Sequence, residues 1–100
     1  MNAPTKIQTA DVHSYLPDAQ GEELELRTKL LVARDHAAAL WARAVDQDAA
    51  QLARKAHDFA GAVVYRSSLS VPVLQMAVEY CRSLVKAAML SESITAAVGE

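Results

Sequence analysis

The chain has 100 residues, 52% apolar but only 5% aromatic, with a net charge of -2 and a pI near 5.9. That length holds one domain and excludes two. Basic residues scattered through a slight acidic excess present no face to a polyanionic backbone, which argues against nucleic-acid binding, and no apolar run approaches the roughly 20 residues that span a bilayer.

About a fifth of the residues are alanine, and there are only three glycines and three prolines. This is the composition of closely packed helices, whereas a sheet protein draws more heavily on Val, Ile, Tyr and Thr. The amino terminus, MNAPTKIQTADVHSYLP, lacks the charged head, apolar middle and small-residue cleavage site of a secretory signal, so a cytoplasmic location is expected. Cys81 is the only cysteine, which forbids an internal disulfide and agrees with a reducing compartment.

Residues 1–16 show little periodicity and read as a flexible or loosely docked segment with at most one short turn, anchored by Ile7, Val12, Tyr15 and Leu16. Pro17 disfavours helix at Leu16 and Asp18 is able to cap a following turn, so a helical domain over 17–90 opens with a helix starting between Asp18 and Glu22. Its first turns carry Glu22, Glu23 and Glu25, which complement the helix dipole, and Glu23 with Arg27 and Glu25 with Lys29 are i,i+4 pairs in the favourable order.

From Leu24 to Val45 this first long helix shows two apolar rows. Leu26, Leu30, Ala33, Ala37, Leu40, Trp41 and Ala44 share one arc, the stripe expected to face the core. Leu24, Leu31, Ala38 and Val45 repeat with heptad spacing along another side. Two rows are more apolar surface than one neighbouring layer covers.

The following Asp46-Gln-Asp48 supplies two N-cap candidates, so a second helix is expected from about Asp48 to Tyr65. Its apolar arc is Leu52, Ala53, Ala56, Phe59, Ala60, Val63 and Val64, with Gln51, Lys55, Asp58 and Tyr65 opposite. The polar run from Arg66 to Ser70 is a turn, and Pro72 suits the first turn of a third helix running to about Leu90. That helix centres on Leu74, Ala77, Val78, Cys81, Leu84, Val85 and Ala88, flanked by Val73, Tyr80 and Met89, with a narrow polar strip. Residues 91–100 are a weak tail in which ITAAV is able to continue the helix.

Among candidate chemical groups, His57 stands on the shoulder of the second helix's apolar arc, with Gly61 one turn later. The stretch DAAQLARKAHDFAGAV, Asp48 to Val63, resembles the helix of histidine phosphotransfer domains, in which an alanine-histidine pair is followed by a glycine four residues after the histidine. The resemblance implies a four-helix bundle in which His57 accepts a phosphoryl group and Gly61 leaves room for the phosphorylated ring. It departs at Ala60, where the family carries a lysine near the phosphoryl group.

Other chemistry finds no support. His13, His36, His57 and Cys81 lack metal-ligand spacing, and Asp46-Gln-Asp48 lacks the glycine and terminal glutamate of a calcium loop. His36 falls on the polar face of the first long helix. Ser67, Ser68 and Ser70 belong to a turn without a nucleophile elbow, and Gly21, Gly61 and Gly99 are too isolated for a phosphate or dinucleotide loop. No enzyme, cofactor, metal or small-molecule substrate is expected.

The expectation is therefore an all-α bundle of three main antiparallel helices, up-down-up, with short helical turns at the ends. Its surplus apolar surface suggests a non-enzymatic regulator or adaptor that binds another protein or itself through Leu24, Leu31, Ala38, Trp41, Val45, Met76 and Met89, acting by occlusion or by stabilising one state of its partner. The alternative is the phosphotransfer-like module centred on His57.

Overall fold

The computed structural model describes residues 3–99, with side chains from Gln8 onward. The described residues form four helices: α1 (Ala3–Tyr15), α2 (Gly21–Arg43), α3 (Gln47–Val63) and α4 (Val71–Val98). Helices α2, α3 and α4 pack pairwise around one core, while α1 packs on α2 alone. The three expected main helices form as an all-α bundle, with α1 as an additional short helix.

The core is built from alternating large and small side chains. Leu30 and Leu31 of α2, Leu74 of α4 and Val64 at the end of α3 are fully buried. Helix α3 turns Ala49, Ala53, Ala56 and Ala60 inward, a row of small residues that lets both neighbours approach its backbone closely. Each fully buried leucine contributes about 2 kcal/mol relative to exposure, so the four-residue alanine row works chiefly by proximity.

The ends of the helices follow from local chemistry. Asp46 caps α3 by accepting the Ala49 amide at 2.8 Å, and the hydroxyl of Ser70 caps α4 ahead of Pro72. Helix α2 begins within the expected window, but its cap position is Gln20, which makes no side-chain cap bond, and not Asp18. Gly21 has a φ of 61°, a left-handed conformation that glycine adopts without a Cβ penalty. Glu23 and Arg27 pair at 2.9 Å, and Glu25 and Lys29 at 3.1 Å.

Arg27 is the largest fully buried side chain. Besides Glu23, it donates from Nη1 to the carbonyl of Val64 at 2.7 Å, supplying a partner to one of the backbone acceptors at the carboxyl end of α3. Its Nη2 has no hydrogen-bond partner among the described residues. Arg27 thus ties α2 to the α3–α4 loop from inside the core.

Two terminal expectations need correction. The 1–16 segment is not a tail with one turn, because α1 is a 13-residue helix held by buried Val12 and Gln8; the side chain of Ile7 lies outside the described residues. Gln8 donates to Asp35 at 2.6 Å, the hydroxyls of Thr9 and Thr28 meet at 3.3 Å, and the Tyr15 ring packs on Tyr65 with centroids 4.3 Å apart. Residues 91–98 are no separate tail either: the helical continuation through ITAAV forms, and α4 runs unbroken to Val98.

A third correction concerns the apolar row on α2. Leu31 is 0% exposed and Leu24 packs against the core, so the row is not an open face. Thr28 and Asp35, which α1 contacts, share a helical face with Leu31 between them. The apparent surplus on α2 is the seat of α1. Of that row only Val45, past the end of α2, is strongly exposed.

Candidate functional site

His57 lies past the middle of α3, and its side chain retains 36% of its accessibility. Helical spacing carries it out of the buried alanine row and toward α2, where its ring sits 5.9 Å from that of Trp41. Trp41 is 40% exposed, so it is neither a buried core filler nor a free anchor. The Arg54 guanidinium lies over the Trp41 ring at 5.5 Å, a cation–π contact from one turn earlier on α3.

Asp58 completes the cluster. Its Oδ1 is 3.1 Å from His57 Nδ1, and its Oδ2 is 3.6 Å from Arg54 Nε. A carboxylate oxygen accepts, so Nδ1 is the nitrogen that carries hydrogen, and in the neutral ring the lone pair is on Nε2. No hydrogen bond to Nε2 forms among the described residues. The arrangement fixes one tautomer of a half-exposed imidazole and leaves its nucleophilic nitrogen available.

Gly61 stands one turn beyond His57, exposed, with no atom within 4 Å of where a Cβ would be. Internal packing therefore does not demand a glycine at this position. Gly61 shares a helical face with His57, because residues four apart on a helix are neighbours, and the imidazole stays more than 4 Å from where a Gly61 Cβ would be. Ala60, in place of the cation of the phosphotransfer pattern, is fully buried in the alanine row. Positive charge near His57 comes instead from Arg54.

The remaining expected residues do not converge on this cluster. Met76 is exposed on α4, Met89 lines a separate cleft of about 370 Å³ with Leu40, Arg43 and Glu92, and Ala38 is half-buried. His13 contacts the carbonyl of Ala19 at 3.0 Å, and His36 is exposed on α2. Cys81 is buried and donates to the Ala56 carbonyl at 3.3 Å, and burial pushes its thiol pKa up. Among the described residues no group of three or more His, Cys, Asp or Glu is placed to hold a metal ion, and no helix is long and apolar enough to cross a membrane.

Residues Arg54 and Asp58 were not singled out from sequence as parts of the site. The signal was present: Arg54 and Asp58 are four apart, and His57 adjoins Asp58. Trp41's place beside them depends on how α2 and α3 pack, which spacing alone does not give. No family model, curated protein or solved structure matches the chain.

Proposed function

We propose that the protein is a histidine phosphotransfer-like module with His57 as the phosphoacceptor. The observation that carries this reading is the half-exposed imidazole whose Nδ1 is held by Asp58 while Nε2 makes no hydrogen bond among the described residues, with the open Gly61 position one turn later on the helix. In the reaction, the Nε2 lone pair attacks the phosphorus of an aspartyl phosphate on a receiver protein. The N–P bond forms, the acyl P–O bond breaks, and the carboxylate departs. The ring then carries positive charge, which the Asp58 carboxylate offsets at Nδ1–H. Arg54 is close enough to Asp58 to shift toward the incoming phosphoryl oxygens, in the role for which the family pattern has lysine.

Incubation with a phosphorylated receiver domain, or with acetyl phosphate, is expected to place an acid-labile, alkali-stable phosphate on His57, and His57→Gln to abolish it. No such phosphate from a panel of receivers ends this reading.

A second reading is favoured by the exposed apolar surface of α4, which includes Val73, Met76 and Leu90. In it the chain is a non-enzymatic regulator or adaptor, and His57 contributes only to the surface. Met76→Glu then abolishes the biological effect while His57→Gln leaves it intact, the reverse of what phosphotransfer requires.

A further inference from the structure

Helix α4 has an outward face whose one ring contact among the described residues is Phe59 of α3 on Tyr80. Val73, Met76, Tyr80, Leu90 and Ile94 are all exposed, with Met76 at 71% and Ile94 at 54%. Their positions fall on alternating steps of three and four, and Ser83 and Ala87 fill the two remaining places. This is a heptad seam spanning about 31 Å of helix at 1.5 Å per residue. The core-facing residues Leu74, Cys81 and Ala88 lie on a different side of the same helix. An apolar seam of this length is not the scatter of single hydrophobic residues found on any surface.

We propose that this seam packs antiparallel against α4 of a second copy of the chain. The occupant follows from self-complementarity. The seam runs large, large, large, small, small, large, large from Val73 to Ile94, so the stretch from Val73 to Leu90 fits itself when reversed, with Ile94 beyond the paired span. With Tyr80 opposite Ser83 of the second copy, Met76 meets Ala87 and Val73 meets Leu90, large against small in the two central kinds of layer. A parallel pairing sets Ser83 on Ser83 and Ala87 on Ala87, two adjacent layers of small residues that leave a gap.

Charge selects the same direction. Glu79 and Lys86 flank the seam on one side and neither makes an ion pair among the described residues. In the antiparallel register these flanking positions face each other across the two-fold axis, so Glu79 of each copy meets Lys86 of the other. A lipid surface asks for a polar side rich in lysine and arginine, and this helix mixes both signs. The seam borders the histidine cluster at one point, since Tyr80 and Phe59, with centroids 4.7 Å apart, line a cleft with Arg54 and Asp58, while the His57 ring itself leans on Trp41 of α2. The proposal is argued from α4 alone and does not rest on phosphotransfer.

Light scattering on the full chain at micromolar to submillimolar concentration tests it. A dimer is expected, and Met76→Glu, at a position exposed in the single chain, is expected to yield a monomer with unchanged helical circular dichroism. Glu79→Lys and Lys86→Glu are each expected to weaken association about tenfold at low salt, and the double reversal to restore it. A monomeric wild-type chain overturns the proposal, including the case where α4 binds some other protein. A dimer that survives Met76→Glu places the interface elsewhere, and a double reversal no better than the singles overturns the antiparallel register.

Discussion

Gly61 separates a structural from a functional use of its neighbour. Its backbone φ is not left-handed and an added methyl meets nothing within 4 Å, so Gly61→Ala removes unfolded-state freedom without strain and is expected to stabilise the fold by about 0.5–1 kcal/mol. Thermal melting reads that gain. If His57 accepts a phosphoryl group, the larger Gly61→Leu substitution is expected to cut transfer at least roughly tenfold while the fold stays intact. Equal transfer by both variants and wild type would falsify a role for the open space. Leu31 makes the opposite kind of prediction. Because it is enclosed between α1 and the core, Leu31→Glu buries an unpaired charge unless α1 lets go, and the variant is expected to lose α1 amide protection and several degrees of Tm while keeping most of its helical circular dichroism. A folded variant that has only lost self-association would restore α2 as the interface.

At the scale of elements, the turn between α2 and α3 is fixed by α4. Glu92 accepts the amides of Val45 at 2.7 Å and Asp46 at 3.2 Å, while Asp46 accepts hydrogen bonds from Ser91 and, at 2.7 Å, Thr95. Those side-chain bonds, with the Ala49 amide, hold the Asp46 carboxyl below its ordinary 3.8. A carboxyl depressed on folding stabilises fully above its unfolded value and loses that contribution as pH falls through the folded value. Asp46→Ala is expected to lower Tm by several degrees near neutral pH, and the gap from wild type to shrink below pH 3.8. A gap constant down to about pH 2 would remove the carboxylate from the explanation. The same region shows what sequence patterning conveys. Asp46 was visible as a cap because capping is local, and the wide apolar side of α4 was visible because periodicity is local too. That α4 runs on to Val98 depends on Ser91, Glu92 and Thr95 docking on a turn more than 40 residues earlier, which no local window contains.

On the scale of the whole molecule, α1 is the element the sequence hid. Of its described side chains only Val12 is a large apolar residue that is buried, and much of its docking runs through Gln8 and Thr9, residue types that are ordinarily exposed. The second apolar row of α2 was correctly seen as needing cover, but periodicity does not say whether cover comes from the same chain or another. For His57, spacing placed the ring on a shoulder of α3, and only the packing of α2 brought Trp41 beside it. These contacts imply an order of stability. Helix α1 touches one helix, whereas α2, α3 and α4 each hold the other two. Native-state hydrogen exchange is expected to show α1 amides opening at least roughly tenfold faster than the central amides of α3, in a separate cooperative step. That step uncovers Leu31 and leaves Trp41, Arg54, His57 and Asp58 in place, so a chain lacking residues 1–15 should keep its far-ultraviolet helical signal at a lower Tm and keep any phosphoacceptor activity. Exchange of α1 and α3 at one common rate would show that the seat of α1 belongs to a single indivisible core.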